Sequence, residues 1–286
     1  MTPVLAVIIP HYNDVRRLTR CLAALMPQVT EGVEVVVVDN DSTQDLGPIR
    51  HRFPGLRIVT EHLKGAAEAR NRGVAETRAP QLAFIDSDCV PEPDWIAVAQ
   101  EVKGRADLIG GAVMVFEETP PPRSGAEAFE LVFAFDNRRY VEQERFSVTA
   151  NLLTRRDVFD RTGPFVAGKS EDLDWCRRAV GLGYRIVYED RLRVAHPSRQ
   201  DWPALKRKWK RLSEESFGVN GNAPAARLKW ALKALAMPVS ILVHTPRVLQ
   251  HQALSRRERR AALMTLGRLR LMRMGWMLRQ AVTGRA

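Results

Sequence analysis

The sequence predicts an α/β protein, with a mostly parallel sheet flanked by helices and a basic helical extension at its end. Strands and helices alternate through the first half, which favours parallel strands joined by helical crossovers. The strands are near-continuous apolar runs, as expected when both faces of a sheet are covered. Positive charge gathers in the last third, where the pattern turns helical throughout.

Each element can be read in order. VLAVIIP (4–10) and VEVVVVD (33–39) are buried strands. Between them Val15, Leu18, Leu22 and Leu25 recur at helical spacing, with Asn13 as the expected N-cap. LRIVT (56–60) and QLAFID (81–86) are strands three and four, and residues 66–77 supply the helix between them. Beyond Trp95 the rhythm changes. ADLIGGAVMVF (106–116) is a strand bent at its Gly-Gly pair, and EETPPPRSG (117–125) is a loop. FSVTANLLT (146–154) is a further strand, SEDLDWCRRAVGLG (170–183) a helix closed by glycine, and YRIVYE (184–189) a short strand.

A length of 286 residues suits one large domain, 1–200, with a tail, 201–286. Three widely spaced cysteines form neither a disulfide framework nor a zinc cluster, so a reducing, cytoplasmic compartment is expected. The first residues lack the basic and small-residue signature of a signal peptide. The net charge of +11 divides into −3 over residues 1–200 and +14 over the tail. Any partner inferred from charge therefore belongs to the tail. No apolar run there reaches the roughly 20 residues of a spanning helix.

Ligands of open parallel sheets sit beyond the carboxyl ends of the strands. Strand one ends Pro10-His11-Tyr12-Asn13, without the glycine fingerprint of a dinucleotide site. Strand two ends Asp39-Asn40-Asp41-Ser42, Arg70-Asn71 lie on the next helix, and strand four ends Asp86-Ser87-Asp88. Any one of these polar groups has a turn explanation. If the backbone stays extended, Asp86 and Asp88 project to one face, where a hard divalent cation that also binds diphosphate would relieve their repulsion. A solvated turn ahead of Pro91 and Pro93 is the other reading.

Five blocks, VIIPHYN, VEVVVVDNDSTQD, GAAEARNRGVAET, LAFIDSDCVPEPDWI and SEDLDWCRRAVGLGYRIVYED, resemble in order and spacing the family-two inverting glycosyltransferases of the GT-A fold. The resemblance covers roughly residues 4–196. It implies a nucleoside-diphosphate sugar donor, a UDP-sugar by preference, with Asp39 and Arg70 on the base and Asp86 on the ribose. It also implies Mg2+ or Mn2+ on Asp88, and a nucleotide pocket lined by Pro10, Tyr12 and Asn13. Asp172 matches the catalytic base, which a single-displacement transfer requires to take the acceptor's proton. Acids in a first helical turn would also be favoured by the helix dipole alone. His196 aligns loosely with an additional metal ligand of some relatives and equally suits a structural histidine. Glu171 and Asn151 are acceptor-side candidates, and Trp175 is either core or a sugar platform. The Gln-x-x-Arg-Trp motif of polymerising relatives is replaced by Leu205-Lys206-Arg207-Lys208-Trp209, so transfer of a single sugar is expected. A glycan or lipid-linked acceptor, in cell-surface polysaccharide or glycolipid synthesis, is the implied destination.

The tail mixes Leu, Met and Trp with Arg, as an interfacial helix on anionic lipid would, although Arg270 falls among Leu263, Leu266 and Met277 on a helical wheel. A helical cap on the catalytic domain, or contact with a second subunit, is the alternative. Two rival functions remain at this level. A nucleotidyltransferase lacks its glycine-rich phosphate loop here, and a nucleic-acid-binding protein lacks any recognised motif, so no nucleic acid is expected.

Overall fold

The structure is a computed structural model and describes residues 2–285. Strand β1 (Leu5–His11) lies between β2 (Val33–Asp39) and β4 (Gln81–Ile85), and β3 (Arg57–Thr60) flanks β2. All three of these pairings are parallel, and Ile8 stands opposite both Val36 and Phe84. The uninterrupted valines and isoleucines explain the parallel sheet. Ile8, Val36, Val38 and Phe84 are buried on one face against the helix that precedes β4.

The other half of the sheet runs differently. Its order continues from β4 through β7 (Asn151–Arg155), β6 (Leu108–Phe116) and β8 (Ile186–Pro197) to the two-residue β5 (Val90–Pro91). The β4–β7, β6–β7 and β5–β8 pairings are antiparallel. The sheet is therefore mixed: β3, β2, β1 and β4 form a parallel block, and β6 and β8 also run in the same direction, with Leu108 bonded to Arg185 near one end and Ser198 to Phe116 near the other. Strand β8 extends well past the short strand expected at 184–189, and β7 starts only at Asn151.

Helices α1 (Val15–Leu25), α2 (Gly47–Arg52), α3 (Ala66–Ala75) and α4 (Trp95–Val102) occupy the early connections. Asp14, rather than Asn13, caps α1, its side chain accepting from the Arg17 amide at 3.2 Å. Helix α3 packs so closely on β1 that a Cβ on Gly73 would lie 2.4 Å from Ile8 Cγ2. Helices α5 (Gly125–Phe133), α6 (Asn137–Glu144), α7 (Arg156–Thr162) and α8 (Glu171–Gly181) follow. The last four helices are α9 (Trp202–Asn220), α10 (Pro224–Leu235), α11 (Met237–Leu249) and α12 (Arg256–Thr283).

The chain divides into two compact units. The first, residues 1–114, 136–167 and 171–196, holds most of the sheet. The second, residues 115–135, 168–170 and 197–286, is helical, and α5 joins the tail helices there. Within it one apolar face of α12 is covered, while Met264, Leu271 and Val282 of the same helix stay exposed. Ala262, Leu266, Leu269 and Met277 are buried against α5, α9, α10 and α11. The misplaced Arg270 lies against Met237 Sδ at 3.9 Å, and Arg273 sits 4.4 Å over the Trp209 ring. Burial pushes the Arg273 guanidinium down to about 10. The α12 face expected to contact lipid is thus the centre of a helical core. No described helix is long and apolar enough to cross a membrane.

Candidate active site

The loops after the parallel strands are stitched together by two asparagines. Asn13 adopts φ +49°, a left-handed conformation that Asn tolerates better than most residues. Its Oδ1 accepts from the Thr43 and Gln44 amides at 2.8 and 3.1 Å, and its own amide donates to Ser42 Oγ at 2.9 Å. Asn40 repeats the device one strand over. Its Nδ2 donates to the Glu61 and Leu63 carbonyls, and its Oδ1 accepts from the Gly65 amide at 2.8 Å. Lys64 closes the arrangement, donating to the Asn40 and Asp41 carbonyls with its ammonium 4.7 Å from the Tyr12 ring. Tyr12 itself is 54% exposed, an aromatic face held above a rigid loop set. Pro10 precedes it on β1, half-buried.

At the ends of the same strands lie polar atoms without partners. Asp39 is buried at the end of β2. Its Oδ2 accepts from the Ser42 amide at 3.3 Å, while its Oδ1 has no hydrogen bond. His11, its register partner on β1, is buried with neither ring nitrogen bonded. Burial lowers the His11 pKa below its ordinary 6.5, outweighing the opposing pull of Asp39 and Asp14. The ring is therefore neutral at pH 7 and offers one donor and one acceptor. Buried polar atoms are normally satisfied, so orphans gathered at strand ends are where a polar ligand is to be sought.

Arg70 links the two halves of the edge. It projects from α3, is only 3% exposed, and donates from Nη2 to Asp86 Oδ1 at 2.6 Å and from Nη1 to Glu171 Oε1 at 2.8 Å. Its Nε has no partner. Burial opposes the guanidinium's charge, but Asp86 and Glu171, with a further contribution from Asp172, more than compensate and hold it firmly protonated. The arginine thereby joins the end of strand four to the first turn of α8, 101 residues away from Glu171 in sequence. In that turn Asp172 is half-buried, and Asp174 is tied back to Arg178 at 2.9 Å.

Asp86 and Asp88 part company because the chain turns there. Strand β4 ends at Ile85, and the Asp86 carbonyl accepts from the Cys89 amide at 3.0 Å. The extended geometry that would place both carboxylates on one face is absent. Asp86 goes to Arg70, while Asp88 Oδ2 lies 3.4 Å from His196 Nε2 on β8. Carboxylate oxygen and imidazole nitrogen form a donor pair suited to Mn2+ and compatible with Mg2+. Among the described residues no cluster of three or more His, Cys, Asp or Glu could hold a metal. A cation on this pair would need oxygens from a ligand or water to complete its shell.

Two expected site residues belong to the interior. Asn151 is fully buried. Its Nδ2 donates to the Ala112 and Leu192 carbonyls at 2.9 and 2.8 Å, and its Oδ1 accepts from Trp95 Nε1 at 3.0 Å. Its amide is committed to holding β6, β7, β8 and α4, which leaves nothing for an acceptor. Trp175 is also fully buried, stacked on Phe159 at 5.7 Å and bonded to the Gly163 carbonyl at 2.9 Å, so it is core. Sequence reasoning passed over His11, Asn40 and Lys64. Only the position of His11 and Asn40 at strand ends offered a signal. A cavity of about 440 Å³, lined in part by Lys210, Glu214, Trp276 and Arg279, lies in the helical unit and contains none of the strand-end groups.

This mixed sheet, with a buried arginine gathering acids at its carboxyl edge, has the architecture of the GT-A fold. Solved structures agree on the fold. A mannosyltransferase of Pyrobaculum calidifontis, in complex with GDP-Man and Mn2+, superposes with a TM-score of 0.57 at 17% identity, over 99% of this chain and 74% of that one. Staphylococcus aureus TarS, in complex with UDP-GlcNAc, gives 0.55 at 17% identity, over 99% and 92%. The chain belongs to glycosyl transferase family 2, whose model matches residues 6–172. The glycosyltransferase AglE of Haloferax volcanii is 32% identical over 224 residues, 73% of this chain and 71% of its own length. GlyG of Streptococcus pneumoniae is 27% identical over 126 residues, which span 42% of each chain.

Proposed function

We propose that this glycosyltransferase moves a single sugar from a nucleoside-diphosphate sugar, a UDP-sugar by preference, to a hydroxyl of a glycan or lipid-linked acceptor, with inversion and with Mg2+ or Mn2+. A role in cell-surface polysaccharide or glycolipid synthesis follows from such an acceptor. The reading rests chiefly on Arg70, which ties the strand-four acid to the Glu171-Asp172 turn. Donor-side and acceptor-side groups are thereby set around one buried cation.

The roles follow from what each group can do. Asp39 Oδ1 and Arg70 Nε, both buried and unpartnered, receive the edge of the base, and Tyr12 provides the face on which the base stacks. Asp86, oriented by Arg70, takes the ribose hydroxyls. Asp88 and His196 hold the cation, which when bound neutralises charge developing on the leaving diphosphate. Asp172 accepts the proton of the acceptor hydroxyl as its oxygen bonds to the anomeric carbon. The bond from that carbon to the diphosphate breaks, and its electron pair leaves with the nucleotide. That the structural neighbours were solved with GDP-Man and Mn2+ or with UDP-GlcNAc supports the donor class.

The test is a panel of UDP-, GDP- and dTDP-sugars in thermal-shift and donor-hydrolysis assays, with and without Mn2+. At least one donor is expected to raise the melting temperature only when the metal is present, and Asp88→Ala should abolish that response. Asp172→Asn should keep the donor response and lose transfer by about 10²- to 10⁴-fold. A wild-type protein indifferent to every donor, or an Asp88→Ala protein that keeps the response, overturns the assignment.

A further inference from the structure

Helices α10 and α11 show apolar side chains on two opposite faces. Trp230, Ala234 and Val248, with Met237 and Ile241 partly buried, pack inward within the helical unit. On the other side Leu228, Leu232, Leu235, Val239, Leu242 and Val243 are 58–75% exposed. Ala236, the single residue between the two helices, keeps helical angles (φ −78°, ψ −11°), so the turn count carries through. At about 100° per residue the six exposed aliphatics fall within an arc roughly 100° wide. Isolated exposed leucines are ordinary, whereas a continuous row of six marks a surface that something covers.

The charge around the row indicates what covers it. Residues 216–257 contain no Asp or Glu, yet they hold Arg227, Lys229, Lys233, Arg247, Arg256 and Arg257. Lys229, Lys233 and Arg247 are exposed and fall along one flank of the row, Lys233 with its ammonium 5.9 Å from the Trp230 ring and Arg247 with its guanidinium 5.5 Å from the Phe133 ring. A second copy of the same face is a poor partner. Self-packed helical seams carry acids and bases at their margins, whereas here lysine would meet lysine. Neither helix is long and apolar enough to cross a bilayer. An apolar strip with a solely basic flank suits a surface that is apolar inside and anionic outside.

We propose that the α10–α11 face is a peripheral membrane-docking surface that lies in the headgroup region of an anionic bilayer. Its exposed row enters the acyl boundary while Lys229, Lys233 and Arg247 meet lipid phosphate. This places the lipid contact on the continuous exposed row of α10–α11 and not on the α12 face of Leu266, Leu269 and Met277, which is buried. It stands whatever the donor and acceptor prove to be.

Co-sedimentation of the full chain with vesicles tests it, using pure phosphatidylcholine and phosphatidylcholine containing 30% phosphatidylglycerol, over a salt series. The chain should bind the anionic vesicles, weaken as salt rises, and bind the neutral ones at least about tenfold less. The variant Leu232→Glu/Leu242→Glu should lose binding by about a hundredfold or more. Lys229→Glu/Lys233→Glu, which reverses two exposed charges and gives up the Lys233 contact with the Trp230 ring, should lose at least about tenfold. Melting temperatures and light-scattering masses of all three proteins check that the variants fold and remain in the same assembly state. Absence of binding to anionic vesicles at low salt overturns the proposal, as does equal binding to neutral ones or binding indifferent to both variants. So does a wild-type dimer that Leu232→Glu/Leu242→Glu converts to monomer without any vesicle binding, since the face would then be covered by a second copy.

Discussion

In each unit a buried charged side chain stands between two of opposite sign. In the sheet unit Arg70 is held between Asp86 and Glu171. In the helical unit Glu130, on α5, is held between Lys208 at 2.5 Å and Arg199. The Arg199 amide also donates to Glu130 at 2.7 Å. Burial pushes the Lys208 ammonium down to about 8 against the pull of Glu130. Burial also works against the charge on Glu130, yet Lys208 and Arg199 hold it below the usual carboxylate range, so the pair is ionic at neutral pH.

The two clusters differ in what they leave open. The Glu130 carboxylate is 1% exposed and fully engaged within its own unit, as a helical packing feature should be. Around Arg70 the carboxylates remain 31% and 22% exposed, its Nε has no partner, and the orphaned Asp39 and His11 atoms lie in the same unit. A buried charge alone therefore does not identify a site. What sets the Arg70 cluster apart is that its orphaned atoms stand with half-buried carboxylates at strand ends, since the helical unit has buried polar atoms without partners as well.

The largest stability effect should come from Glu130→Ala, which strands Lys208 beside Arg199 without an anion. Breaking a buried pair in this way costs about 3–5 kcal/mol. Urea unfolding should show that loss, while the metal-dependent donor shift survives in whatever fraction folds. Loss of the donor response in folded Glu130→Ala would abolish the distinction between the clusters. Arg70→Met should cost less, about 1–3 kcal/mol, because water can take over the half-exposed Asp86 and Glu171. It should nevertheless eliminate the donor-dependent thermal shift. If Arg70→Met retains that shift, Arg70 is a packing charge like Glu130.

The sheet unit was far more legible than the helical one, for reasons of range. Strand ends can be counted from apolar runs, so Asp39, Asp86 and Asp88 fall at one edge from sequence alone. The choice between an extended chain and a turn after Ile85 could not be made from sequence, because it is set by the Asp86–Cys89 hydrogen bond, and the turn gives the two carboxylates different partners, Arg70 and His196. The 101-residue reach from Arg70 to Glu171 likewise leaves no periodic trace. In the tail, helical spacing was visible but the choice of inward face was not. Helix α12 carries apolar groups on several faces because α5, α9, α10 and α11 all pack against it. Helix α5 itself had a local signal, since Ser124 and Glu127 form a capping box that ends the Pro-rich loop.

His11 gives the smallest effect and the sharpest check on the unfinished edge. Its folded pKa lies below the ordinary 6.5, through burial that outweighs Asp39 and Asp14. Between the two values the unfolded chain binds more protons than the folded one, so stability rises with pH across that window. The contribution is fully present above about pH 6.5 and is lost as pH falls through the folded value. Urea unfolding at intervals between about pH 5 and 8 should show this decline, and His11→Gln, which cannot titrate, should flatten it. A bound donor that engages His11 should shift the wild-type decline and leave the His11→Gln profile unchanged. An identical decline in both proteins would show that the buried imidazole does not titrate as its surroundings dictate. The orphaned atoms at this edge would then be reduced to Asp39 Oδ1 and Arg70 Nε.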